Sequence, residues 1–104
     1  PLSPSSRVLS GVVLKKAALE PHPSVRTAAL VALGDLKDPA LLELFKDRFA
    51  KDASDAARAE SLRAIGKLGD RAALPFLQQA AALPSYRNMI ASAAKQAITL
   101  LGAK

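Results

Sequence analysis

The stretch Ala28–Leu36, "AALVALGDL", returns as Ser61–Leu68, "SLRAIGKL", and this echo decides the fold. Laid over itself at a shift of 32 residues, the chain aligns Arg26 with Arg58, Leu30 with Leu62, Ala32 with Ala64, Leu33 with Ile65, Gly34 with Gly66 and Asp38 with Asp70. A weaker third copy follows at a shift of 33, pairing Ala64 with Ala97, Ile65 with Ile98, Leu68 with Leu101 and Gly69 with Gly102. Self-similarity at this period is the mark of a solenoid, in which each unit buries its apolar face only by stacking on the next.

Within a unit the spacing is helical. Val25, Ala28, Ala29, Ala32, Leu33 and Leu36 follow the i, i+3, i+4 rule and predict one buried stripe. Asp38 stands where an N-cap belongs, with Pro39 at the first helical position, where its missing N–H costs nothing. A second helix, "ALLELFKDRFAK", follows, with Leu41, Leu42, Phe45 and Phe49 as its apolar stripe. The next unit repeats the plan. Ser54 or Asp55 opens "AARAESLRAIGKL", Gly69 and Asp70 mark the break, and "AALPFLQQAAAL" holds Pro75 in its first turn. Pro84 and Ser85 lead into a last helix from about Tyr86 to Leu101. Ahead of the repeats, Ser5 or Ser6 caps "RVLSGVVLKKAALE", which stops before the corner Pro21, His22, Pro23.

The expectation is an all-α fold, a right-handed α-solenoid of stacked antiparallel helix pairs with about five helices. Residues 1–22 read as a preceding half-repeat, 23–52 and 53–83 as repeats, and 84–104 as a terminal half-repeat, the whole being a piece excised from a longer protein. Small residues recur at Ala28, Ala29 and Ala32, at Ser61 and Ala64, and at Ala93, Ala94 and Ala97, where stacked helices approach closely. Gly34 and Gly66 serve either that approach or a left-handed closing residue.

Composition narrows the function. Half the residues are hydrophobic, yet only Phe45, Phe49, Phe76 and Tyr86 are aromatic, which suits thin helices packed closely. No cysteine is present, so disulfides, thiolate metal sites and cysteine nucleophiles are excluded. No apolar run approaches the ~18 residues of a membrane-spanning helix. The compartment stays open, with a lean towards the cytoplasm. The formal charge of +6 is uneven: Lys37–Asp70 balances seven basic against seven acidic residues, whereas Arg71–Lys104 carries four basic and no acidic ones.

Chemistry is scarce. His22, the single histidine, has no second histidine or cysteine to complete a metal site or a nucleophile–base pair. No zinc-binding His-Glu-x-x-His and no phosphate-cradling glycine loop occurs, and carboxylates sit at helical spacing from cations, as Asp47 does from Lys51. No cofactor and no catalysis are expected of this chain. Nucleic acid is disfavoured as a partner because exposed stacking aromatics are lacking; phosphate contact through Lys15, Lys16, Arg63, Arg87 and Lys95 is the route left open. Arg26 and Arg58 read either as an anion-binding ladder or as ties to turn carboxylates and carbonyls. The exposed stripe of the second helices, Glu43, Lys46 and Asp47 in one unit and Gln78 and Gln79 in the next, is the candidate concave surface for a protein partner. Positions that differ between copies, Asp35 against Lys67 and Lys46 against Gln78, are where function should be sought.

The segment "HPSVRTAALVALGDLKDPALLELF" resembles the short HEAT-like repeats first noted in phycobilin lyases, whose units run Asp/His-Pro-x-Val-Arg-x-x-Ala-x-x-Ala-Leu-Gly, then Asp-Pro, then a leucine-rich helix. The resemblance spans about Pro23 to Gly102, with Arg26, Arg58, Gly34, Gly66, Asp38 and Asp70 as the repeat-defining residues. It departs in the third copy, where Thr99 replaces the glycine and Lys95 an apolar residue, a departure that suits a cap. The stretch Ala57–Gly102 also resembles, loosely, the carboxy-terminal helical region of gluzincin zinc aminopeptidases. That resemblance implies a non-catalytic domain packed on a zinc peptidase, whose metal ligands have no counterpart here. A free-standing protein-binding scaffold and a DNA-binding repeat are the alternatives.

The repeated seam yields the first prediction. Leu33→Ala and Ile65→Ala should each lower unfolding free energy by about 2–5 kcal/mol in urea denaturation; a loss below about 0.5 kcal/mol at both would place these side chains outside the core.

Overall fold

The asparate-proline and aspartate-arginine turns start the second helices by the same device. Asp38 accepts a hydrogen bond from the Ala40 N–H (3.0 Å) and Asp70 from the Ala72 N–H (2.9 Å), and each opens a 3-10 turn before the α-helix proper. Ser54 likewise accepts from the Ala57 N–H. In the computed structural model, which describes residues 13–84 and 88–102, the resulting elements are α1 (13–17), α2 (Pro23–Leu36), a 3-10 turn (Pro39–Leu41) continued by α3 (Leu42–Lys51), α4 (Asp55–Leu68), a second turn (Arg71–Ala73) continued by α5 (Leu74–Ala81), and α6 (Met89–Leu100). Among the described residues there are six helices, not about five, because every segment read as helical forms its own element, and there is no strand. The proposed caps Ser5 and Ser6, and the start of the last helix at Tyr86, lie outside the described residues.

The helices form an all-α solenoid. First helices α2, α4 and α6 stack side by side as one layer, and second helices cover them, α3 lying chiefly on α4 and α5 on α6. The close pairs therefore straddle the sequence units 23–52 and 53–83: each second helix leans on the first helix that follows it.

Glycine sets the spacing of the first-helix layer. Gly34 and Gly66 are both helical and buried, and neither is a closing residue. A Cβ on Gly66 would stand 2.6 Å from the Ala97 Cα, and one on Gly34 would stand 3.1 Å from the Ala64 Cβ. The left-handed closures fall three residues later, at Lys37 (φ 54°) and Gly69 (φ 74°), whose N–H groups return to the carbonyls of Gly34 and Gly66. The seam is filled by Leu30, Leu33, Leu62, Ile65 and Ile90, all fully buried, and Phe45 and Leu77 close it from the second layer.

The buried stripe of α2 differs from the sequence expectation. Ala29, Leu30, Leu33 and Gly34 are buried, Ala32 is half-buried, and Val25, Ala28 and Leu36 are exposed. The i, i+3, i+4 pattern there describes two apolar faces of one helix, only one of which is covered. Leu42 is half-buried rather than fully buried, while Leu41, Phe45 and Phe49 are buried.

Substituting the two glycines should separate their roles. Gly66→Ala should destabilise by about 2 kcal/mol, since the methyl meets helix backbone that only moves with the whole of α6. Gly34→Ala should stay within about 1 kcal/mol of the parent, the gain in helix propensity offsetting a tighter contact. Equal losses in chemical denaturation would contradict this spacing.

Candidate functional site

The arginines of the first helices reach the ends of the second helices. The Arg26 Nε and a terminal nitrogen donate to the two carboxylate oxygens of Asp52, both at 2.8 Å, in a bidentate pair. Its other terminal nitrogen donates to the carbonyls of Glu20 (2.9 Å) and Pro21 (2.7 Å). Arg58, one repeat later, donates through Nε to the Phe49 carbonyl at 2.8 Å, lies over the Phe49 ring at 4.8 Å, and approaches Asp55 at 3.5 Å. Arg58 thus satisfies a carbonyl left open in the last turn of α3, where a cation is also favoured by the helix dipole, and Arg26 satisfies two carbonyls of the bend between α1 and α2. Neither is free to form an anion-binding ladder.

Asp52 is the residue that sequence reasoning passed over. It follows the last residue of α3 and its side chain is fully buried, joined to Arg26 of α2 and, through a 2.9 Å hydrogen bond from the Ser54 N–H, to the start of α4. Burial opposes its ionisation, but the hydrogen bonds from Arg26 and Ser54, with the fields of Arg26 and Arg48, prevail and hold the carboxyl below its ordinary value. The same pair, chiefly through the hydrogen bond to Asp52, raises the Arg26 guanidinium above its ordinary value. The available signal was the repeat itself: Asp52 aligns with Pro84 at the shift of 32, so the second unit lacks this partner and Arg58 turns to a carbonyl and a ring instead.

The candidate stripe lies on two helices, Glu43, Lys46 and Asp47 on α3 and Gln78 and Gln79 on α5. Glu43, Gln78 and Gln79 are exposed, while Lys46 and Asp47 are half-buried. The Lys46 ammonium stands 5.4 Å from the centre of the Phe76 ring and 3.9 Å from Glu43. Phe76 in turn meets Phe49 edge to face, with ring centres 5.5 Å apart. Asp47 is taken up by Lys51 (2.9 Å) and Arg48 (3.1 Å), whose hydrogen bonds hold its carboxyl below the ordinary value.

Other candidates are spent on packing. Asp35 and Lys67, set apart as a difference between copies, form a 2.8 Å ion pair between α2 and α4. Arg63 donates to Gln96 on α6 (2.7 Å) and to Glu60 (2.6 Å), which removes it from the group offered to phosphate. Arg87 lies outside the described residues. His22 is exposed at the N-terminal boundary of α2 and makes no side-chain cap. Among the described residues no group of three His, Cys, Asp or Glu is placed to hold a metal ion, and no helix is long and apolar enough to cross a membrane.

The family profile described as HEAT repeats matches residues 12–99, and the chain belongs to that family. HEAT repeats are helical-repeat modules for protein interaction and are generally non-catalytic. No curated protein matches the chain, and the gluzincin resemblance gains no support from the comparisons.

Asp52 makes a pH prediction. Its carboxyl is depressed in the folded state, so its contribution is complete above the unfolded value near 4 and is lost as pH falls through the lower folded value. Asp52→Asn should cost about 3 kcal/mol at neutral pH, and the gap from the parent should narrow below about pH 4. A gap independent of pH in urea melts would show that the ion pair contributes nothing.

Proposed function

We propose that this chain is a non-catalytic module that holds another protein on the face formed by α3 and α5, with Glu43, Lys46, Asp47, Gln78 and Gln79 as the contact stripe. The observation that supports the reading is the arrangement around Phe76: a half-buried ring, the Lys46 cation laid on it, and the exposed Glu43 carboxylate beside that cation, with Gln78 and Gln79 exposed on the same helix as the ring. An apolar centre with a polar rim is the anatomy of a protein-binding surface. The repeat position filled by Lys46 in one unit is filled by Gln78 in the next, so the stripe can discriminate along its length while the scaffold beneath stays the same.

The narrower form, in which the partner is the catalytic domain of a zinc aminopeptidase on the same polypeptide, is carried by the Ala57–Gly102 resemblance alone. It requires a His-Glu-x-x-His motif in the full reading frame.

Lys46→Glu combined with Gln78→Ala and Gln79→Ala should abolish retention of a specific partner from native extract, with the helical circular dichroism signal unchanged. Retention of the same partner at parental levels would remove this face from consideration.

A further inference from the structure

Four side chains drawn from α3, α4 and α5 form one continuous run of contacts. The Arg58 guanidinium lies over the Phe49 ring, 4.8 Å from its centre, while its Nε donates to the Phe49 carbonyl at 2.8 Å. One side chain therefore grips both the ring and the backbone of the same residue. Phe49 meets Phe76 with ring centres 5.5 Å apart and ring planes at 74°, the edge-to-face arrangement that aromatic pairs favour. The Lys46 ammonium stands over Phe76, 5.4 Å from its centre, within cation–π range. The run begins at a buried ring held from α4 and ends at a half-buried charge on the α3/α5 face.

The repeat does not require this run. At the shift of 32, Phe49 aligns with Ala81, Phe76 with Leu44 and Lys46 with Gln78, so neither ring nor the cation recurs in the other copy. Arg58 does recur, as Arg26, but its surroundings differ. Arg26 gives its Nε and one terminal nitrogen to Asp52, and the residue aligned with Asp52 is Pro84. With no carboxylate at that position, the Arg58 guanidinium goes to a carbonyl and a ring. A position common to both copies thus takes a second task in the place where the chain also sets two rings and a lysine.

We propose that Arg58 is a positioning residue for the α3/α5 face: by holding Phe49 against Phe76 it fixes the ring on which Lys46 rests, and so presents that ammonium in one place to a protein partner. The inference rests on the reading of α3 and α5 as the binding face. An exposed lysine loses rotamer freedom when a partner immobilises it, and a lysine already seated on a ring loses less. The 3.9 Å approach of Glu43 is too loose to seat it alone.

Side-chain NMR of the 104-residue chain reads this arrangement, because protons above an aromatic ring are shifted upfield by its ring current. The Lys46 Hε resonance should lie upfield of those of the exposed Lys15, Lys51 and Lys95, and Phe76→Leu should return it to their position. Arg58→Met, which keeps the length of the side chain and removes the guanidinium, should move it most of the way. Phe49→Leu, which keeps an apolar residue in the core and removes the intervening ring, should displace it as well, so the decision does not hang on one variant. Arg63→Met, on the same helix as Arg58 and tied to Gln96 and Glu60, should leave it in place, although it too removes contacts made by α4. A Lys46 resonance unmoved by Arg58→Met or by Phe49→Leu, with helical circular dichroism retained, would overturn the proposal, and so would an equal displacement by Arg63→Met. The binding face fails by a different result. Parental partner retention by the Lys46→Glu, Gln78→Ala, Gln79→Ala variant would overturn the face, and with it the use assigned to Lys46, while leaving the spectra of the Arg58 and Phe49 variants as they are.

Discussion

The near contact of α4 with α6 at Gly66 and Ala97 is the constraint on which the rest of the solenoid depends. A helix surface without a Cβ lets the neighbouring backbone come within a distance that a methyl group would forbid. That distance sets the pitch of the first-helix layer, and the pitch decides which larger side chains can fill the seam. Leu62, one turn before Gly66, and Ile65, next to it, are fully buried beside this close approach. Gly34 makes the same approach to Ala64 less tightly, so the stack is a series of similar rather than identical steps.

Stacking by small residues alone would leave helix ends unsatisfied at every turn of the chain, and the arginines answer this. Arg26 and Arg58 stand at matching positions, and both donate to carbonyls of the segment before their own helix, Arg26 in the bend after α1 and Arg58 in the last turn of α3. Only Arg26 also meets a buried carboxylate. Asp52 thereby ties α2, the end of α3 and the start of α4 at one point, and its charge is tolerated in the interior because both oxygens are held by a guanidinium. The repeat conserves the arginine's task along the array while letting its partner change.

The division of labour between layers follows from the same geometry. First helices give their polar side chains to one another, as in Asp35 with Lys67 and Arg63 with Gln96, pairs that sit one repeat apart. Their sequence differences are therefore the two halves of a contact rather than signs of a ligand. Second helices meet through Phe49 and Phe76 and keep Glu43, Gln78 and Gln79 exposed, so variation there is available for recognition.

The sequence by itself determined the all-α class, the repeat, the capping aspartates and the small residues at the close approach, because these are set by local spacing and backbone chemistry that every copy shares. It also placed Asp47 beside Lys51, four residues apart on one helix. What only the tertiary structure decided are the relations between elements. Val25 stands at the repeat position where Ala57 and Ile90 are buried, yet it is exposed, a difference that periodicity cannot report. The pairing of Asp52 with Arg26, 26 residues apart, and the assignment of Gly34 and Gly66 to packing rather than closure depend on how helices from different repeats meet in space.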